Sequence, residues 1–342
     1  MYVGNRFGPG TIWFWAGTNL LQATAVSSAV YFGYEWMGWK FLSVPFLPIA
    51  TIGTAVAFYV GFKNNSSYDR LWEGRRIWGA IVNASRVWAA LILSVVDRPQ
   101  TGATAAAVRA TVKQLIYRQI AWANALRIQL RQRPAPHRRK REDLLHIEWV
   151  RHVRAEDGLA GDELIDRILT EFSCQLERNG PNRPSNVAAA LLAKQAAQIA
   201  ELKHNGWIDA WEHSDLMRLV TECYAQQGAC ERIKSFPFPR QYAIFSGAFV
   251  KLFIFLLPFG LMKEMASLGR NASWLVIPFS MLIAWVFYTM EQVGDASEDP
   301  FEGGGNDVPL SAICRNIEVD LKEMLGETEL PPRLQPVENV LL

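Results

Sequence analysis

Four long stretches of the sequence carry almost no charge, and they constrain the fold more than any other feature. They are residues 11–34, 41–62, 242–262 and 271–290, and Lys251 is the only charged residue among them. A helix needs about 20 mostly apolar residues to cross the hydrocarbon core of a bilayer. We therefore predict four transmembrane helices. Buried helices of a soluble protein are the alternative, but four such lengths exceed ordinary core helices.

The first apolar stretch has a second interpretation, as a signal peptide. Arg6 precedes it, and the small residues "AVSSA" lie near its end, as in a cleavable leader. The apolar run is longer than the core of a signal peptide, which favours a retained membrane helix.

The basic residues around these stretches predict the orientation of the chain. Lysine and arginine are concentrated after the second stretch and before the third: Lys63, Arg70, Arg75, Arg76, Arg232, Lys234 and Arg240. The loops 35–40 and 263–270 contain fewer basic residues. Cytoplasmic flanks carry such an excess of positive charge. Region 63–241 is therefore predicted to be cytoplasmic. With four spans both termini are cytoplasmic too, in a multi-pass protein of the cell inner membrane.

Region 63–241 has the pattern of packed helices. Ile77, Ile81, Trp88 and Ile92 recur at helical spacing on one face, directly after the second apolar stretch. Amphipathic helices are predicted at 104–130, at 185–206 with a stop at Asn205-Gly206, and at 207–233. Almost nothing is typical of a strand. The sequence thus predicts an all-α membrane protein: residues 1–62 with two spans, a cytoplasmic helical bundle continuous with them, residues 242–290 with two more spans, and a cytoplasmic segment 291–342.

The charge distribution gives no general signal for nucleic acid, because the net charge is only +2. One basic stretch stands out, "RQRPAPHRRKRED" at 131–143. A solvated, proline-containing turn between helices is the favoured interpretation. The alternatives are contact with anionic lipid headgroups and contact with nucleic acid.

Residues with catalytic or metal-binding potential are scarce. The five histidines show no metal-ligand spacing, and no nucleophile or phosphate-binding motif is present. The four cysteines are scattered and predict free, buried thiols in a reducing compartment: Cys174, Cys223, Cys230 and Cys314. We therefore expect no enzyme activity, no cofactor and no metal. A membrane-embedded enzyme would need polar residues within the spans, where the lone Lys251 is expected to pair or to reach the interface.

Three motifs resemble signatures of the bestrophin family, in its bacterial branch. They are "SYDRLWEGRRIWGAIVNASR" after the second span, "ACERIKSFPFPRQY" before the third, and "SEDPFEGGGNDVPL" after the fourth. All three occur in the family's order relative to the spans. Four positions depart from the family pattern: Leu71 replaces a tryptophan, Phe236 a threonine, Arg240 an aromatic residue and Glu302 a glycine.

The resemblance implies an ion channel in which five identical subunits surround a central pore. The second span, about 44–62, lines a hydrophobic neck in the family, and the pore-facing positions correspond to Thr54, Phe58 and Phe62. The spacing is compatible with this role, because residues four apart share one helix face and these three extend over roughly 12 Å. The implied partners are membrane lipids, small monovalent ions and four further copies of the chain.

The resemblance also implies a second constriction, at the cytoplasmic exit, upstream of the Cys-Glu-Arg-Ile motif. A count back from Gly228 reaches Trp211, with Asp209 two residues earlier. Packing of Trp211 between helices is the alternative.

The charged residues of the first motif are expected to pair and so hold adjacent helices or subunits, or else to face the vestibule: Asp69, Arg70, Glu73, Arg75 and Arg76.

The region that binds calcium in calcium-gated bestrophins is degenerate here. The glutamine position corresponds to Ala296 and the first acid to Gly304, so that only Asp307 is retained, with Asp299 and Glu302 nearby but outside the pattern. Calcium needs six to eight oxygen ligands, and we predict a channel that conducts without it. Chloride or other anions are the favoured permeant ions. A sodium-selective cation channel of the same fold, and a membrane-anchored scaffold without a pore, are the alternatives.

Overall fold

The computed structural model describes residues 1–4, 9–96, 104–132, 161–174, 184–236, 238–269, 272–337 and 339–342. Nine α-helices lie in these residues, together with two isolated β-bridges and no strand. The helices are α1 (Pro9–Glu35), α2 (Phe46–Val95), α3 (Ala105–Arg131), α4 (Gly161–Glu171), α5 (Val187–His204), α6 (Ala210–Ser235), α7 (Arg240–Ser267), α8 (Val276–Ala296) and α9 (Leu310–Met324).

Three helical segments among the described residues are long and apolar enough to cross a membrane. They are Lys40–Val95, Arg240–Ser267 and Ser273–Ala296. The first two contain the second and third predicted spans, and the last covers the fourth from Ser273 onward. Helix α1 covers the first predicted span with 27 residues, and its crossing of a membrane stays a prediction. Short 3-10 turns, Lys40–Leu42 and Ser273–Leu275, precede α2 and α8.

Helix α2 runs for 50 residues without interruption from the apolar second span into the charged first motif. Its single proline, Pro48, lies within the first turn, where a missing amide hydrogen does not interrupt the helix. A single helix therefore carries both the predicted neck residues and the predicted charged motif. This confirms the expected continuity of helix between residues 41–62 and the residues that follow.

The chain divides into two compact units. The apolar unit comprises Gly4–Leu71 and Pro237–Asp299, and the large unit comprises Met1–Val3, Trp72–Phe236 and Pro300–Leu342. This division follows compactness, and the predicted membrane boundaries at 62, 241 and 290 stay predictions.

The apolar unit is built by packing among α1, α7 and α8, with the first half of α2. Its buried side chains form one cluster, to which every one of these helices contributes: Ala23, Val30, Ile49, Val56, Val60, Val250, Phe253, Ile254, Leu257, Leu261, Met262, Val276, Ala284 and Tyr288. Helix α2 packs closely against α7 at Gly53, where a Cβ atom would lie 2.5 Å from the ring of Phe253. Glycine is therefore required at this contact.

The large unit is organised around α3, which packs against α4, α5, α6 and α9. The predicted face of α2 is buried here, since Ile77, Ile81, Trp88 and Ile92 are at most 7% exposed. The indole Nε1 of Trp88 donates to the carbonyl oxygen of Leu115 on α3. All four cysteines are free and buried, as expected.

The predicted end of α5 is also confirmed. Asn205 caps the C-terminus of α5, and Gly206 adopts a φ of 72°, a backbone conformation that favours glycine. Asp209 caps α6 through a reciprocal pair of hydrogen bonds with Glu212. Beyond Gln132, the basic stretch predicted as a turn lies outside the described residues.

Candidate functional site

Helix α2 has two opposite faces within the apolar unit. One face is buried. Its residues recur every three or four positions along the helix: Ile49, Gly53, Val56, Val60, Lys63 and Ser67. The apolar members of this set pack into the core described above. This spacing fixes the rotation of α2 about its axis, and therefore determines which side chains point away from the unit.

The opposite face of α2 carries the predicted neck residues. Thr54, Phe58 and Phe62 are all exposed, and the two phenylalanines are 68% and 56% accessible. The two rings contact each other edge to face, with centroids 4.5 Å apart. Two phenylalanines uncovered in one row are a considerable apolar surface, and such surfaces mark sites of association with a partner or a membrane.

Thr54 is the polar member of this face. Its hydroxyl donates to the carbonyl oxygen of Ala50, 3.0 Å away in the preceding turn. The hydroxyl proton is therefore engaged within the helix, and the exposed hydroxyl oxygen keeps its capacity to accept a hydrogen bond. In this rotamer Thr54 presents a hydrogen-bond acceptor, to which water can donate.

The charged motif on α2 separates into paired and exposed members. Arg70 donates from Nε to the carbonyl oxygen of Glu298, 2.9 Å away, and its guanidinium lies 3.9 Å from the carboxylate of Asp299. Glu73 binds Arg232 at 2.5 Å. Asp69, Arg75 and Arg76 are exposed. The structural role predicted for this motif therefore has geometric support at Arg70 and Glu73, and the vestibule role stays open for the exposed three.

A charge cluster around the buried Lys63 lies on the other face of α2, and sequence reasoning missed it. The Nζ of Lys63 is 2.6 Å from Oε1 of Glu291 and 2.5 Å from Oδ1 of Asp295. The hydroxyl of Ser246 donates to the second oxygen of Glu291 at 2.6 Å. Lys63 follows the second span and Glu291 follows the fourth, so two charges at matching ends of two spans were the available signal.

The predicted exit residue Trp211 lies in the first turn of α6 and is 82% exposed. In the described part of the chain this indole does not pack between helices. Its backbone position is fixed by the capping box of Asp209 and Glu212. The role of Trp211 at an aperture stays a prediction.

The two acids named for the degenerate calcium region have structural partners. Asp299 faces Arg70, as described above. Asp307 is buried and accepts a hydrogen bond from the amide of Gly304 at 2.7 Å, as a turn residue does. Among the described residues, no group of three or more histidine, cysteine, aspartate or glutamate side chains is placed to hold a metal ion.

Comparison with known proteins identifies the family. The family model described as "Bacterial/Fungal Bestrophin protein" matches residues 9–323. The chain belongs to the bestrophin family. The voltage-dependent anion channel-forming protein YneE of Escherichia coli K12 is 30% identical over 323 residues, covering 93% of this chain and 90% of YneE. A protein of the same description from Ralstonia nicotianae is 30% identical over 283 residues, covering 83% and 78%.

Solved structures show that this bestrophin shares the fold of its relatives. A crystal structure of a bacterial Bestrophin homolog from Klebsiella pneumoniae superposes with a TM-score of 0.69 at 22% identity, covering 91% of this chain and 99% of the homolog. At this identity the likeness concerns the fold alone.

Two departures from the bestrophin pattern introduce charge, and each forms an ion pair. Arg240, at an aromatic position of the family, lies 3.7 Å from the carboxylate of Glu298 within the apolar unit. Glu302, at a glycine position, binds Lys234 at 3.1 Å within the large unit. Each substitution is therefore compensated by a partner of opposite charge.

Proposed function

We propose that this bestrophin is one subunit of a homopentameric ion channel in the cell inner membrane, with four spans and both termini in the cytoplasm. Its neck is lined by Thr54, Phe58 and Phe62, and it conducts small monovalent anions such as chloride. The observation that carries the proposal is the uncovered aromatic face of α2, directly opposite the face that packs into the core.

A ring of subunits accounts for this face. The helices of one chain already use their facing surfaces to bury a shared core, and so they cannot also enclose a water-filled path. Cyclic symmetry places the same face of α2 around one axis in every subunit. Phe58 and Phe62 then line a narrow passage, and their exposure in a single chain is what such an assembly requires.

The neck acts on ions through its apolarity and its aromatic edges. A hydrophobic constriction can lose its water and so form a barrier without a plug. The hydrogen edges of phenylalanine rings carry partial positive charge and can point toward a passing anion. Thr54 adds one polar layer that holds water at the outer end of the neck. These properties support a channel whose conductance depends on side-chain size at three positions.

Anions are the favoured permeant class, because two relatives that are 30% identical to this chain are named as anion channel-forming proteins. The neck itself carries no charge that would select the sign of the ion. A sodium-selective channel of the same fold is the alternative. Asymmetric NaCl across a planar bilayer distinguishes the two, because the reversal potential follows the chloride gradient in one case and the sodium gradient in the other.

Conduction without calcium is part of the proposal. Calcium sites rely on clustered carboxylates and carbonyl oxygens, whereas Asp299 faces Arg70 and Asp307 accepts a backbone hydrogen bond. The current is therefore expected to persist in a calcium chelator. Closure by the chelator and recovery in micromolar calcium would contradict this part of the proposal.

A second constriction at the cytoplasmic exit, lined by Trp211, completes the proposed pathway. The exposure of this indole supports the assignment, since a side chain that lines a pore is uncovered in a single subunit. The capping box immediately around it holds the start of α6 in a defined conformation.

Ion flux through the purified protein tests the proposal against a scaffold without a pore. Liposomes that contain the protein and a chloride-sensitive dye should exchange chloride faster than empty liposomes, and native mass measurement in detergent should give five copies of the chain. Absence of flux from a correctly assembled oligomer would favour the scaffold. A different number of subunits would contradict the proposed ring.

A further inference from the structure

The exposed face of α2 does not end at the neck. Beyond Phe62 it continues through Asn65 to Asp69, and both are exposed. With 3.6 residues per turn, Thr54, Phe58, Phe62, Asn65 and Asp69 lie within a sector of about 80°. The buried residues Val56, Val60, Lys63 and Ser67 lie on the opposite side of the helix. Asp69 therefore shares the face of the neck residues, about 10 Å further along the axis of α2.

The basic residues nearest to Asp69 in the apolar unit are committed elsewhere. Lys63 is fully buried against Glu291 and Asp295 on the opposite face. Arg70 is turned toward the carbonyl oxygen of Glu298 and the carboxylate of Asp299. In the described part of this unit, Asp69 takes part in no ion pair. Its carboxylate is therefore a negative charge directed away from the core.

We propose that Asp69 is a specificity-determining residue of the pore. The inference rests on the proposed pentamer, in which five copies of Asp69 form a ring of carboxylates on the cytoplasmic side of the neck. Rings of acidic side chains concentrate cations and deplete anions at a channel mouth. The neck carries no charge of its own, and the Asp69 ring is the first charge beyond it on this face of α2, ahead of the exposed Arg76 seven residues further along the helix. The Asp69 ring therefore lowers the potential next to the neck and limits the preference for anions.

Two properties follow from the position of the ring. Its field acts over a Debye length of about 8 Å at physiological ionic strength, and over about 3 Å at 1 M salt. The influence of Asp69 on permeation is therefore strong in dilute salt and weak in concentrated salt. The ring lies on one side of the neck only, so it acts mainly on ions that enter from the cytoplasmic side.

Reversal potentials of the Asp69→Asn channel in asymmetric NaCl test this inference. Loss of the ring should raise the permeability of chloride relative to sodium by at least about twofold in dilute salt, with a smaller change near 1 M. Asp69→Glu, which keeps the charge, should match the unmodified channel. Glu264→Gln, which removes an exposed carboxylate from the last part of α7, is the matched control and should also leave the ratio unchanged.

A cysteine variant keeps the test independent of folding. Asp69→Cys can be assembled first and then modified in the bilayer, because the four native cysteines are buried. A negatively charged thiosulfonate should restore the original permeability ratio, and a positively charged one should shift it further toward chloride. An unchanged ratio in Asp69→Asn and in both modified channels would overturn the inference while leaving the channel itself intact. Absence of current from the unmodified protein would instead overturn the proposed function, and this inference with it.

Discussion

The Nζ of Lys63 lies 2.6 Å from Oε1 of Glu291, and the lysine side chain has no exposed surface. The pair links α2 to α8, which are also joined by a hydrogen bond from the side-chain amide of Asn64 to the carbonyl oxygen of Met290. Removing one partner of a buried pair leaves an uncompensated charge, which typically costs about 3–5 kcal/mol. Lys63 also serves Asp295, so its loss would leave two carboxylates without their cation.

Lys63→Met is therefore expected to lower the stability of the protein by about 3–5 kcal/mol. Thermal unfolding in detergent measures the loss. Arg86→Met is the matched control, because Arg86 pairs with Asp320 at 2.6 Å but is 52% exposed, and such pairs contribute at most about 1 kcal/mol. Equal effects of the two substitutions would show that the Lys63 cluster is not buried as described.

Replacement of glycine by alanine is expected to have opposite effects on stability at Gly53 and at Gly79 of α2. Gly53→Ala brings a methyl group against the ring of the buried Phe253, and overpacking of this kind costs about 1–3 kcal/mol. Gly79 has open space around it, so Gly79→Ala should gain up to about 1 kcal/mol from helix propensity. The difference in melting temperature between the two variants checks this. A Gly53→Ala protein as stable as Gly79→Ala would contradict the close approach of α2 and α7.

Glu298 makes stability depend on pH near neutrality. Burial raises the pKa of Glu298 from 4.5 to about 7, with a further increase from the neighbouring Asp299 and an opposing effect of Arg240. Because the folded pKa exceeds the unfolded one, the contribution of Glu298 to stability is complete below pH 4.5 and is lost as the pH rises through 7. Above that range the side chain stays ionised and the loss is constant.

Glu298→Gln should remove this dependence. Between pH 5 and pH 8 the unmodified protein is expected to lose about 2–3 kcal/mol more stability than the variant. Thermal unfolding at the two pH values measures the difference, with Glu264→Gln as a control for an exposed carboxylate. Parallel pH profiles of the Glu298→Gln and unmodified proteins would rule out this assignment.

Substitutions at Thr54 test whether a less hydrated outer end of the proposed neck lowers the conductance. Thr54→Ile adds bulk and removes the oxygen that holds water, so the single-channel conductance should fall several-fold. Thr54→Val keeps the shape without the hydroxyl and should have an intermediate conductance. If both variants carry the current of the unmodified channel, Thr54 does not face the pore.

The sequence predicted those features that depend on neighbouring residues. The buried face of α2 at Ile77, Ile81 and Trp88, and the end of α5 at Asn205, follow from helical periodicity and local capping. The family motifs, each a short continuous stretch, predicted the fold through their resemblance to known sequences. In all these cases the physical cause lies within a few turns of the residue concerned.

The features that sequence reasoning missed depend on contacts between distant residues. Lys63 and Glu291 are separated by 228 positions, and the burial of Glu298 results from the packing around the end of α8. Such pairs have no periodic signal, because their geometry is set by how separate helices pack. The position of Asp69 on the face of Phe58 likewise depends on the rotation of α2, which its packing against the other helices determines.

Phe58 and Phe62 are proposed to form the neck of a conducting ring, and the single-channel conductance of Phe58→Ala measures their contribution to it. Phe255→Ala is the matched control, because Phe255 is 52% exposed on α7 of the same unit. We expect Phe58→Ala, as a pentamer, to carry a several-fold larger current at unchanged driving force, and Phe255→Ala to carry the current of the unmodified channel. A Phe58→Ala pentamer with unaltered conductance, or an equal change in Phe255→Ala, would contradict it.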